Sequence, residues 1–283
     1  MKKLLLSLSL SLSLGLLCAN PTVAATPAFS TSQIAQIRLT NLSFKEIMRK
    51  FYSGQMSNIS VDDEDLEEMP YIGLGKANSD GETTVALMHP VINYKNTAGE
   101  QRYLIIIEKV QFAGRILVSC HACSATADLY SFKKLDNGLF QLVSRTPKKV
   151  KPSGVYGRVM LEEKDIKDNL QPLGKNLIGS VFKNGSFYHG LMPQWWEALH
   201  LPENDFINVY EVGDGGLENG NYNEDSPLYY GYEVSLKVLS GDTIYHPIML
   251  TYKGEMPNKH NEQIEPIHYS EIVKFDSIKN IYK

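Results

Sequence analysis

The 283-residue chain has only three cysteines, no surplus of positive charge and, after residue 17, no long apolar run. Each absence excludes something. With 28 Lys and Arg against 32 Asp and Glu, nothing draws the chain electrostatically to nucleic acid or anionic lipid. No later segment approaches the roughly 18 consecutive apolar residues of a membrane span, so no integral membrane segment is expected beyond the N-terminus. Nucleotide loops are missing too: Gly73-Leu74-Gly75 lacks the third glycine and the βαβ setting of a dinucleotide fingerprint. There is no Gly-x-Ser-x-Gly and no His-Glu-x-x-His. Ser131-Phe132-Lys133-Lys134 and Ser180-Val181-Phe182-Lys183 match Ser-x-x-Lys, but the companion motifs of a penicillin-binding site do not follow. No pair of carboxylates stands out for acid–base work.

What is present begins with an address. Lys2 and Lys3 precede an apolar stretch from Leu4 to Leu17, and Val23-Ala24-Ala25 places small residues before a cleavage point. This is the pattern of a secretory signal peptide spanning 1–25, cut after Ala25, and it implies a periplasmic or secreted protein. Leu17 before Cys18 argues against a lipoprotein signal. Loss of Cys18 with the signal leaves Cys120 and Cys123 in the motif Cys120-His121-Ala122-Cys123. In an oxidising compartment an even number of cysteines reads first as a disulfide.

The alternative for this motif is a thiol–disulfide role for Cys120, His121 and Cys123. Such exchangers place the first cysteine at a helix N-terminus, which lowers the thiol pKa. Residues 124–134 fit a strand at least as well, with Asp128, Tyr130 and Phe132 on one face. Zinc is disfavoured because adjacent Cys and His cannot easily face one tetrahedral ion. The other histidines (His89, His189, His200, His246, His260 and His268) are scattered. No metal and no cofactor are expected.

Sixteen tyrosines and many Val and Ile favour strands. The clearest helix covers 43–53: Ser43 and Glu46 have capping-box spacing, and Phe44, Ile47, Met48 and Phe51 form one stripe. A weaker helical turn is expected within 31–40 after a mobile tail over 26–33, and a short helix over 162–170. Strand-like runs then recur every 8–12 residues. Thr84–Tyr94 and Arg102–Val110 flank Asn96-Thr97-Ala98-Gly99. Ala127–Lys133 and Leu139–Ser144 flank Asp136-Asn137-Gly138. Arg115–Ser119 and Val155–Leu161 read as further strands. Leu177–Lys183 and Ser186–Leu191 flank Asn184-Gly185, the strongest hairpin signal. Gln194–Leu201 and Phe206–Val212 follow, then a loop over 213–227, strands Leu228–Leu239 and Thr243–Tyr252, and a last strand over 267–275.

The expected fold is therefore mainly β: antiparallel sandwich or barrel-like sheets preceded by an N-terminal α-helix. The organisation reads as a tail and helix over 26–57, a first β half over 58–172 and a second over 173–283, the halves forming two units or one continuous domain. The oxygen-rich run 214–225 lacks EF-hand order and reads as a solvated loop rather than a calcium site. Trp195, Trp196, Tyr229 and Tyr230 mark a possible binding surface, one of each neighbouring pair facing the core. Together these features predict an exported, non-enzymatic binding protein whose partner is another protein or an envelope component.

Overall fold

The computed structural model describes residues 29–62, 66, 68–147, 152–258 and 263–283. The expected signal segment 1–25 lies outside the described residues, as do His260 and Asp63, Glu64, Asp65 and Glu67 of the acidic run.

The body is mainly β, built from two large antiparallel sheets. The first contains β1 (Arg38–Leu39), β2 (Met56–Ser57), β3 (Tyr71–Leu74), β4 (Glu82–Met88), β5 (Ile92–Lys95), β6 (Gln101–Ala113), β7 (Ile116–Leu117), β8 (Thr126–Lys134) and β9 (Phe140–Arg145). Its order is β1-β9-β8-β6-β4-β3-β2, with β5 and β7 also pairing with β6. Strand β6 shows why. Its run Leu104-Ile105-Ile106-Ile107 is fully buried, so it needs cover on both faces. Ile105 and Ile107 pack with Ile34 of helix α1 (Thr31–Ala35) and with Ile47 and Met48 of α2 (Phe44–Phe51). Leu104 and Ile106, on the other face, meet the second sheet.

That second sheet is a meander in sequence order: β12 (Leu170–Gly174), β13 (Leu177–Gly185), β14 (Leu191–Pro202), β15 (Asn208–Asn219), β16 (Gly231–Val238), β17 (Ile248–Pro257) and β18 (Ile264–Val273). Before it come the short pair β10 (Gly154–Val155) and β11 (Arg158–Val159) and helix α3 (Glu163–Asp168); after it, the pair β19 (Phe275–Asp276) and β20 (Ile281–Tyr282). Phe182, Leu199, Leu201 and Ile207 share one hydrophobic cluster with Val85, Leu87, Leu104, Ile106 and Leu129 of the first sheet and Ile166 of α3. The layers are thus helices, sheet and sheet, and a further cluster that starts at Leu173 and Leu177 belongs to the second sheet and its terminal hairpin. Arg102, almost fully buried, ties the layers further by gripping Glu203 through two bonds of 2.9 and 2.7 Å.

The meander curls into a half-barrel. Register shifts at Gln194/Trp195 and Trp196/Glu197 bend β14, and opposite them β15 is rich in glycine. A Cβ at Gly215 would lie 2.8 Å from the Trp195 backbone nitrogen, so only glycine allows that approach. Residues 213–219, expected as loop, therefore extend the strand.

Other expectations fare differently. The helix at 44–51 is present, and Ser43 accepts from the Glu46 amide. Glu46, however, turns to Thr40 rather than reciprocating, while Asn41 accepts from the Ser43 amide. Within the expected 26–33 tail, the Phe29 ring meets Phe206 edge-on at 5.1 Å and helix α1 begins at Thr31. The expected strand Thr84–Tyr94 splits into β4 and β5 at His89-Pro90, because proline has no amide for the ladder. Arg115–Ser119 contributes only the two residues of β7, and Val155–Leu161 folds back at Tyr156-Gly157.

The clearest correction concerns Asn184-Gly185. These residues continue β13, paired with Trp195 and Gln194, and the reversal comes at His189-Gly190, with φ of 47° and 79°. Tyr188 and Leu191 exchange both backbone bonds across it. Turn propensity loses here because the Asn184 amide is buried and donates to Glu197 at 2.7 Å.

Candidate functional site

Along β14, alternation sends Trp196, Ala198 and His200 to the inner face of the half-barrel, where Val212, Val234, Leu250 and Tyr252 complete an apolar lining. One end of this trough is stopped by the β19–β20 hairpin. Its Phe275 and Tyr282 rings lie 5.0 and 5.9 Å from the His200 imidazole, while Tyr210 packs at 4.8 Å and Tyr245 stacks at 5.9 Å. His200 is 4% exposed, and its Nε2 sits 2.7 Å from the Tyr282 hydroxyl. Burial disfavours the imidazolium and brings the pKa down to about 3, so the ring is neutral at physiological pH.

A cleft of about 540 Å³ opens onto this cluster. Tyr210, Tyr245 and Phe275 form its aromatic wall, with His200 behind them, and Lys175, Glu203, Asp205 and Asn208 bring polar groups to it. The Tyr210 phenol is pushed up to about 12, chiefly by burial and then by the neighbouring Tyr245 and Asp205. Tyr245 is raised by burial and by Asp205 as well. The Asp205 carboxylate lines the same cleft as both phenols.

A second aromatic group lies further along the sheet. Tyr252 and Tyr269 stack at 4.5 Å, and Tyr232 and Tyr252 donate to Asp214 and Glu271 at 2.8 and 2.7 Å. Trp196 belongs to this inner face, its indole donating to Val234 O at 2.9 Å with Lys183 5.1 Å from the ring. Trp195 points the opposite way and donates to Ser153 Oγ at 2.9 Å. The two tryptophans thus face opposite sides of the sheet, and Tyr229 and Tyr230 are half-buried just before β16.

Two buried carboxylates lie elsewhere. Glu197 accepts from Ser153 and Asn184, and burial, larger than those bonds, raises its pKa. Glu108 is fully buried; burial pushes its pKa up, yet His89, Arg158 and the Val159 amide, at 2.8–2.9 Å, outweigh that and hold it below the usual carboxylate range. Every group in this network is partnered within the fold, which marks it as a strut between β6 and β11. Among the described residues, no group of three or more His, Cys, Asp or Glu is placed to hold a metal.

Cys120 and Cys123 form a disulfide in the loop between β7 and β8. Their carbonyls accept from the Tyr156 and Gly157 amides at 3.0 and 2.9 Å, and His121 packs on Tyr156 at 4.7 Å. The loop thus fastens the β10–β11 turn. From Cys123 the chain runs on into strand β8, not into a helix whose N-terminus could face the sulfurs.

None of the cleft-lining side chains was marked by spacing. Asp205 and Tyr210, Tyr245, and Phe275 come from three separate stretches that only the curled sheet and its terminal hairpin assemble. No family model matches the chain, no curated protein matches its sequence, and no solved structure matches its fold.

Proposed function

We propose that the chain is an exported, non-enzymatic binding protein whose ligand is a small molecule or envelope component held in the cleft beside His200. The observation that carries this reading is the cleft itself: about 540 Å³, within the span of roughly 300–1,000 Å³ usual for small-ligand sites, with an aromatic wall and a few polar groups. The imidazole at the cleft is not suited to act as a general base. A group with a pKa near 3 is a poor proton acceptor at neutral pH, where general bases work best with values close to the ambient pH. Export is supported by the basic start, short apolar stretch and small-residue site of residues 1–25.

The thiol–disulfide alternative for Cys120, His121 and Cys123 has in its favour the exposure of Cys120 and the neighbouring imidazole. It lacks the helix end that would stabilise a thiolate. The Cys120–Cys123 bridge fits better with a turn fastener.

Native mass spectrometry of protein purified from the periplasm tests the main reading. A small-molecule adduct is expected on the wild type and not on a Tyr210→Ala/Tyr245→Ala variant whose circular dichroism is unchanged. Adducts of equal abundance on both proteins would remove the cleft from consideration. Recovery of the full-length chain from the cytoplasm alone would remove export.

A further inference from the structure

We infer that the cleft ligand carries an organic cation, an alkylated or protonated amine seated against the wall of Tyr210, Tyr245 and Phe275. This rests on the cleft being the binding site. The wall supplies the first half of the argument. Tyr210 and Phe275 lie 4.7 Å apart and Tyr245 and Phe275 also 4.7 Å, so the rings are too close to admit a guest between them. They pack on one another at interplanar angles of 59° and 54°, all three lining the cleft, and a ring face attracts a cation lying within about 6 Å of its centroid.

The charges around the cleft supply the second half. Lys175 is occupied by Asp242 at 2.8 Å. Glu203 is occupied by Arg102. His200 carries no charge, so it neither repels a cation nor attracts an anion. Asp205 is different: its carboxylate accepts only the adjacent Phe206 amide, at 2.7 Å, among the described residues. Its charge is also felt by both Tyr210 and Tyr245. Among the described residues, the cleft thus holds one carboxylate with no cationic partner, on the same lining as the aromatic wall.

The chemistry also selects the kind of cation. Calcium and magnesium want six or more oxygen ligands in a shell, and a wall of rings cannot supply them. An alkylated ammonium is weakly hydrated, gives up little on leaving water, and presents C–H groups that pack on rings.

Three probes of similar shape test the inference: choline, its uncharged isostere 3,3-dimethyl-1-butanol, and the anion 3,3-dimethylbutyrate. Binding to the full mature protein is followed by amide chemical shifts and titration calorimetry. Choline is expected to shift amides around 205–210, 245 and 275 and to bind at least tenfold more tightly than the alcohol. Asp205→Asn should weaken choline at least fivefold while leaving the alcohol unchanged. Equal affinity for choline and the alcohol, or preference for the anion, would overturn the cation and leave the cleft as the site. No shift at cleft residues with any of the three would overturn both.

Discussion

Protonating His200 should unfold the protein from within its half-barrel, and the cost follows from the titration of one ring. In the unfolded chain the imidazole titrates near its ordinary value of 6.5, whereas in the fold it titrates at about 3. Because the folded pKa lies below the unfolded one, the unfolded state takes up the proton first as pH falls. Stability is therefore full above pH 6.5 and drains away between 6.5 and 3. For those two values the loss between pH 7 and pH 5 comes to about 2 kcal/mol, and the whole shift is worth at most about 5 kcal/mol. Urea unfolding at both pH values, on the wild type and on His200→Gln, measures it. Glutamine is neutral throughout and can still accept from the Tyr282 hydroxyl, which lies 2.7 Å from Nε2 in the wild type. The variant will be less stable at pH 7 but should lose about 2 kcal/mol less on going to pH 5. Carboxylates that titrate in the same window are common to both proteins and cancel in the difference. If wild type and variant lose the same amount, the imidazole is not held neutral by burial and the reasoning fails.

Three other outcomes are expected. Burial lifts the Glu197 pKa above its unfolded value, so stability is full at acid pH and declines as pH rises through the raised value. Glu197→Gln should therefore gain stability relative to wild type as the buffer is moved from pH 4 to pH 8, the difference being read from thermal midpoints; a variant that loses ground to wild type over that range would contradict this. Replacing Cys120 and Cys123 by serine should cost no more than about 2 kcal/mol in urea, because a bridge across three residue steps constrains little of the unfolded chain. Gly190→Ala should cost at least about 1–2 kcal/mol by the same assay, since φ there is 79° and the new Cβ would fall 1.9 Å from Asn221 Oδ1. An unchanged midpoint would mean that the His189-Gly190 reversal is not the turn.

Local chemistry made several elements legible. Ser43 at capping distance from the Glu46 amide, the stripe Ile47 and Met48, and the turns closed by Gly99 and Gly138 all rest on interactions within a few residues. The strand at 126–134 was readable from its alternating Asp128, Tyr130 and Phe132, of which Tyr130 and Phe132 share one cluster and Asp128 accepts from Tyr52 in it. Where the reading failed, a distant partner had overruled a local preference. Asn184-Gly185 stays extended because Glu197 requires the amide. Residues 213–219 stay in the sheet because Gly215 lets Trp195 approach. Nothing near Pro202–Asp205 in the chain announces that Glu203 will meet Arg102, 101 residues away.

By itself the sequence determined the class of the molecule: alternating apolar residues and short turns leave antiparallel sheets as the way to bury them, and two closely spaced cysteines bridge each other. Tertiary structure decided which faces those sheets present. Alternation tells that His200 and Leu199 point to opposite sides of β14, but not which side curls into the half-barrel. That depends on bulges, glycines and a terminal hairpin acting together, and so the cleft exists only once residues from 147 to 280 have met in space.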